Sequence, residues 1–537
     1  MSRILRNFVN RIIPQSERVV PRQRGNQTGE FTFTVSGEQR FDRFLVLGTA
    51  TGTYHVSPQQ LTGDNAEVIV GELMARGTAA VDQIVDVSVS GRAPKNDQAL
   101  FALAVAGAAE DPRVRAHALS KLADVARTPT HLFQFLTHLQ ARRGWGRQVR
   151  RAVSDWYLTQ DTAGLAHRVV TYRQHEGWAH KDVLALAHTC SDDPAQAEVL
   201  RWAVTGRTKN EPQRVIADFM AARQPDADLP ALIRAEGSQL SPGMLPPESL
   251  HDRGIWAALL DADRLPPAAL LRALPQLTTA GIFGSTSLQG EQPSTDPFPD
   301  DFDHEHYAAL VTDRITDPER LRQARIHPLQ ALLAQRAYAR TPGAHATLVD
   351  ALDRAFHLTV GSLPPTRGRT LHAVDVSEAM SSPTAGGLTC SEAAAALVKV
   401  SLAAHPSSLV TVFSRTLVPV TGITPQQSLR DMLQTFDLPA GPIDCARPML
   451  FALENRIPVD TFVVYTGNEP RFGDIHPWQA LAEYREASGI PAKLIVVALA
   501  ATEFSIADPT DCGMLDIVGF DASLPKVIED FSTPMRE

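Results

Sequence analysis

The feature that most constrains this chain is a change of rhythm near residue 365. From about Asn65 to Tyr338, apolar residues recur at helical spacing in one segment after another. Examples are AEVIVGELMARG, DQALFALAVAGAA, VRAHALSKLADVA, PTHLFQFLTHLQ, TAGLAHRVVTYRQ, KDVLALAHTC, PAALLRALPQL and IHPLQALLAQRAYA. Each runs for roughly 10–15 residues, and strand-like alternation is nearly absent. None can bury its apolar face alone, so the pattern predicts stacked helix pairs of the α-solenoid kind. The period is not strict, and the repeats are therefore degenerate. Gly284–Asp303, polar, proline-rich and acidic, reads as an exposed loop.

After Gly361–Arg369, a linker, the rhythm becomes alternating strand and helix. LHAVDV, SLVTVFS, DTFVVYT and KLIVVALA read as buried strands. TCSEAAAALVKVSLAA, PQQSLRDMLQTF, ARPMLFALENR and HPWQALAEYREA read as helices, the first with a Thr389/Glu392 capping-box spacing. Valine- and isoleucine-rich strands separated by helices predict a parallel, doubly wound sheet of about 170 residues. The expectation is a multidomain chain: an arm over 1–30, helical repeats over 31–360 and an α/β domain over 361–537.

Charge divides along similar lines. Residues 1–210 hold 26 Lys and Arg against 20 Asp and Glu, a net of +6, whereas the whole chain carries −9. The basic part is suited to a polyanion and the acidic remainder to another task. No apolar run reaches the length of a membrane span. The arginine-rich start, MSRILRNFVNRIIP, interrupts its apolar residues too often for a signal-peptide core. It reads as an amphipathic or flexible basic arm. Four scattered cysteines without a CxxC suit a reducing cytoplasm.

The basic charge is densest in ARRGWGRQVRRAVSDWY, Ala141–Tyr157. Arg142, Arg143, Arg147, Arg150 and Arg151 precede the first acid, Asp155. Val149, Ala152, Val153 and Trp156 fall on one helical face, with Arg147, Arg150 and Arg151 opposite. Gly144 and Gly146 place the helix start near Arg147. A solvated basic face is the plain alternative, but clustered guanidiniums repel one another, and their planar forks match phosphate oxygens. Enzymatic motifs are lacking: no GxxxxGK[ST] loop, no HExxH and no nucleophile elbow.

In a doubly wound sheet, ligands bind at the carboxyl ends of strands. The loop Asp375-Val376-Ser377-Glu378-Ala379 resembles the DxSxS loop of von Willebrand A domains, whose serine, threonine and aspartate oxygens hold magnesium. Only Asp375 and Ser377 match. Alanine stands at 379, isoleucine at 443 and glycine at 467, where the family pattern has ligands. The expectation is an A-type domain with degenerate site remnants, no cofactor and no bound divalent cation.

The whole chain is similar to a known family. RIHPLQALLAQRAY (Arg325–Tyr338) followed by LHAVDVSEAM, together with FDRFLVLGTATGTYHV, PTHLFQF, GWGRQVRRAVSDWY, GWAHKDVL, MLPPESL, KLIVVAL and FSIADPTDCGMLDIVGFD, resembles the Ro autoantigen family of TROVE-domain RNA-binding proteins, in collinear order. A prokaryotic member is the expectation.

The resemblance implies a ring of HEAT-like repeats closed by the A domain. Small structured Y RNA would bind the basic outer surface, and single-stranded ends of misfolded or immature RNA would enter the ring. An exoribonuclease such as polynucleotide phosphorylase would be the partner, in noncoding-RNA quality control or stress response, with the protein itself a monomer that performs no catalysis. On residues, it points to the five arginines for structured RNA and to His180 and Lys181 for a strand. Arg92 and Lys95 in the GRAPK loop, and Thr130 and His131 at a helix start, are further candidates. A protein–protein adaptor, with solenoid and A domain both binding proteins, is the competing reading.

Overall fold

The computed structural model describes residues 63–90, 95–284, 302–363 and 368–532, apart from short breaks inside the last of these. It also describes short segments at 23–25, 31–33, 41, 44–45 and 53–55. The expected N-terminal arm (apart from residues 23–25), most of the acidic loop at 284–303 and Cys512 lie outside the described residues. Cys190 is exposed, whereas Cys390 and Cys445 are buried.

Helix follows helix from Gly63–Arg76 to Ala346–Gly361, as the apolar spacing predicts. Many helices begin on a capping residue followed by proline: Asp111–Pro112, Thr128–Pro129, Asp193–Pro194 and Asp317–Pro318. The cap oxygen accepts a backbone N–H of the first turn, from Arg113, His131, Ala195 and Glu319 respectively. Proline supplies the helical φ where no N–H partner is needed, and such a cap contributes about 1 kcal/mol. These starts keep each helix short and fix its entry angle. Consecutive helices then pack their apolar faces into one continuous core.

The second region is a seven-stranded sheet in the order Thr53–His55, Met514–Val518, Lys493–Ala498, Thr461–Thr466, Thr370–Asp375, Leu409–Phe413, Leu417–Pro419. All neighbours are parallel except the last pair. Chain order reverses between Thr370–Asp375 and Thr461–Thr466, so their carboxyl ends form the switch-point crevice. Three strands escaped the sequence pattern. Met514–Val518 follows a segment without strand rhythm. Leu417–Pro419 and Thr53–His55 have three residues each and exist through pairing alone. The capping box at Thr389 and Glu392 is present as expected.

The sheet domain touches both ends of the helical array. At the start, Thr53–His55 lies at the sheet edge beside Met514–Val518, and Lys95 Nζ is 3.9 Å from Asp521. At the far end, Arg336 donates to Glu392 at 2.8 Å. Arg340 donates to the Gly387 carbonyl, and the buried Lys399 Nζ sits 2.9 Å from His357 Nδ1. These contacts close the array through the sheet domain into a ring.

Candidate nucleic-acid interface

The arginine-rich helix spans Arg147–Leu158, starting where the glycines place it. Its apolar face is anchored by Val149, Val153, Trp156 and Tyr157, all buried, with Ala152 half-buried. Trp156 donates its indole N–H to the Ala126 carbonyl, and Tyr157 Oη lies 2.7 Å from His180 Nδ1. With that face fixed, Arg147, Arg150 and Arg151 point to solvent. The first turn holds no acid and has no side-chain cap, so its free N–H groups add to the positive end of the helix.

Among the described residues, Arg143, Arg147 and Arg150 have no carboxylate at ion-pairing distance. Arg151 has one weak neighbour, Asp155 at 3.8 Å, with the two side chains 84% and 59% exposed. At that exposure the pair is screened and contributes little. Arg142 is more committed. Its guanidinium carbon sits 4.7 Å above the Phe101 ring, and it donates to the His138 carbonyl at 3.0 Å. Partial burial lowers its pKa, but a guanidinium stays charged. Lys181 is exposed at the start of the helix His180–Ala187, which packs against the arginine helix.

Other expectations need correction. His180 is only 3% exposed, packed edge-on against Phe133 and Tyr157. Burial pushes its imidazole pKa down to about 4, with a backbone hydrogen bond at Tyr172 opposing. The enclosed imidazole is not offered at the surface; through Tyr157 it pins the arginine helix to its neighbour. Lys95 faces Asp521 across the junction with the sheet domain, which ties its charge to a carboxylate. Thr130 does not cap its helix; Thr128 does, and its hydroxyl accepts the His131 N–H, so that donor is already used. The His131 ring is half-buried with its pKa lowered, by burial first and the Arg127 charge second. Arg92 lies outside the described residues.

Two features had no signal in the pattern. Arg115, from the helix Pro112–Ser120, donates to Gln148 at 3.0 Å and so extends the basic face from 33 residues away. The second is an aromatic pair. Gln174–His175 and Trp178–Ala179 form a hairpin whose Glu176 and Gly177 both take positive φ, 50° and 81°. Such a turn needs left-handed backbone at both positions. The hairpin brings Trp178 to Trp145, ring centroids 6.0 Å apart, both half-buried against the core, with Arg143, Arg147 and Lys181 within three residues of them in sequence. Trp178 packs partly against the core and leaves the rest of its ring accessible.

At the sheet's switch point the ion-site remnants are turned inward. Asp375 is 1% exposed and accepts from the Ser377 N–H at 2.6 Å, the Ser377 hydroxyl at 2.9 Å and Thr466 Oγ1 at 3.0 Å. Its pKa is raised by burial, against those hydrogen bonds. A Cβ on Gly467 would lie 2.6 Å from the Ala379 carbonyl oxygen, so the loop backbone fills the space a second aspartate would need. Asp444 accepts the Ala446 N–H at the start of its own helix. Among the described residues, no cluster of metal-ligating side chains forms, and no helix is long and apolar enough to cross a membrane.

Comparisons with known proteins agree with this architecture. Residues 24–219 and 242–342 match the TROVE domain, and residues 369–532 match the Ro60 vWA domain. The chain is 39% identical over 553 residues to the RNA-binding protein RO60 of Deinococcus radiodurans, covering 99% of both. It is 31% identical to the RNA-binding protein RO60 of Caenorhabditis elegans, covering 98% of this chain and 92% of that one. The crystal structure of the Deinococcus radiodurans RO (RSR) protein superposes with a TM-score of 0.81 at 36% identity, over 93% of this chain and 99% of that one. With both domain families matched in order along the chain, this protein belongs to the Ro60 family, a TROVE helical array followed by a von Willebrand A-type domain.

Proposed function

We propose that this chain is a non-catalytic RNA-binding scaffold. It holds a small structured, Y-type RNA on the basic face of the helical array. It also receives single-stranded ends of misfolded or immature RNA, and leaves their hydrolysis to a partner exoribonuclease. The observation that carries the reading is the set of exposed guanidiniums at Arg143, Arg147 and Arg150, free of carboxylate partners among the described residues. Folded RNA is met through shape and phosphate contacts, because side chains cannot enter its deep, narrow major groove. Unpaired arginine forks on a rigid helix suit that task. A single strand needs a cationic track beside a stacking surface, and Trp145 and Trp178 supply one between Arg143 and Lys181.

The test is a double charge reversal. Arg147→Glu with Arg150→Glu is expected to weaken binding of a structured RNA by about 10- to 100-fold at moderate salt, because two phosphates are no longer neutralised. Both side chains are exposed, so the unfolding midpoint should hold. Unchanged affinity would remove the arginine helix from the interface.

A further inference from the structure

We propose that Arg201, Arg207 and Lys209 form a second phosphodiester-binding cradle, which takes up the RNA strand beyond the arginine helix. This rests on the RNA-binding reading above and adds a site to it. The side chains surround an open cavity of about 500 Å³ that is lined by these three cations with Thr205 and Thr208. Three of the five lining side chains are cations and none is a carboxylate, so the cavity offers an anion several charged donors.

The cradle is built rather than incidental. The helix Pro194–Thr205 ends on Gly206 in the left-handed conformation, φ 68°, with its N–H on the Trp202 carbonyl. Thr205 Oγ1 donates to the Arg201 carbonyl at 2.8 Å and accepts the Arg207 N–H at 3.2 Å, which fixes the turn. Glu198, buried beneath, accepts the backbone N–H groups of Lys209 and Asn210 and so clamps the returning loop. The Lys209 amide holds that carboxyl below its usual pKa range. Glu198 also lies 3.7 Å from Arg201, whose side chain remains 53% exposed. Among the described residues, the side chains of Arg207 and Lys209 have no carboxylate at ion-pairing distance.

Position links the cradle to the arginine helix. Gln196, in the first turn of Pro194–Thr205, donates to the carbonyls of Leu158 and Gln160, just where the arginine helix ends. Pro194–Thr205 also packs against His180–Ala187, to which it is joined by residues 188–193 alone. The two form a helical hairpin. Twelve residues of helix cover about 18 Å, which carries the chain from Gln196, beside the end of the arginine helix, to Thr205 and the cradle. His180–Ala187 packs against both the arginine helix and Pro194–Thr205, so one helix lies between the two cation-bearing elements. A phosphate backbone crossing the aromatic pair would meet the cradle next.

The experiment compares the full-length wild type with Arg207→Glu/Lys209→Glu and with Arg147→Glu/Arg150→Glu. Each is titrated at several salt concentrations with a stem-loop RNA carrying a single-stranded 3′ extension. The cradle variant is expected to bind about tenfold more weakly, and the slope of log affinity against log salt should flatten by roughly 1.5, at about 0.7–0.9 for each phosphate no longer neutralised. Loss of binding in the arginine-helix variant with unchanged affinity and slope in the cradle variant overturns the cradle alone. Weaker binding with an unchanged slope also overturns it, since the phosphates would then still be neutralised. No loss in either variant overturns the RNA-binding reading itself.

Discussion

The helical array and the A-type domain treat charge in opposite ways. The array turns Arg143, Arg147 and Arg150 outward without carboxylates. The A-type domain encloses Asp375 and satisfies it with Ser377 and Thr466. Yet each region steadies its site with the same device, a buried histidine against a tyrosine. His180 meets Tyr157 at 2.7 Å in the array, and His372 meets Tyr465 at 3.1 Å in the sheet. The difference teaches where ligand chemistry resides. A charge left unpaired at the surface awaits a partner, whereas a charge satisfied internally has become part of the framework.

The largest effect is expected from reopening the A-type site. Gly467→Asp places a Cβ against the Ala379 backbone and adds a buried charge, so it should destabilise by more than about 3 kcal/mol. Denaturant unfolding measures this, and a neutral outcome would mean that the loop moves aside and the site is not closed.

Acid should act on both regions through their histidines. The pKa of His180 falls to about 4 and that of His372 to about 3, both from burial first. Each is depressed from 6.5, so the unfolded chain binds the proton before the native one does. Their contribution is whole above pH 6.5 and is lost as pH falls toward 4 and 3. For His180 alone the loss is about 3 kcal/mol. Stability measured between pH 7 and 4 checks the slope, and a flat profile would contradict neutral burial.

Tyr157→Phe leaves His180 Nδ1 without its partner and should cost about 1–3 kcal/mol. The arginines keep their places, so the salt dependence of RNA binding should not change. A shift in that slope would show that the pair does more than hold the helix. The smallest effect is expected from magnesium. Millimolar concentrations should leave the unfolding midpoint where it is, and an upward shift would show that Asp375 and Ser377 still bind a cation.

Much of this was legible in the sequence. Val149, Val153 and Trp156 fixed one face of the arginine helix by spacing alone, and Gly146 marked its start. Four of the five longer strands of the sheet showed in their apolar runs. What sequence spacing cannot register is who meets whom across the fold. His180 looks like an offered side chain until packing puts Phe133 and Tyr157 around it. Lys95 looks free until Asp521 arrives from more than 400 residues away. Thr53–His55 becomes a strand only because Met514–Val518 lies beside it. Trp145 and Trp178 become a surface pair through a hairpin too short to have a period.

The central claim is that RNA lies on the array and not on the A-type domain. Ultraviolet cross-linking of the full chain to a structured RNA, followed by peptide mapping, tests it most directly. Cross-linked peptides should fall within 141–157, 174–181 and 201–209 and be absent from 369–532. Cross-links concentrated in 369–532, with the arginine helix unmarked, would contradict the account.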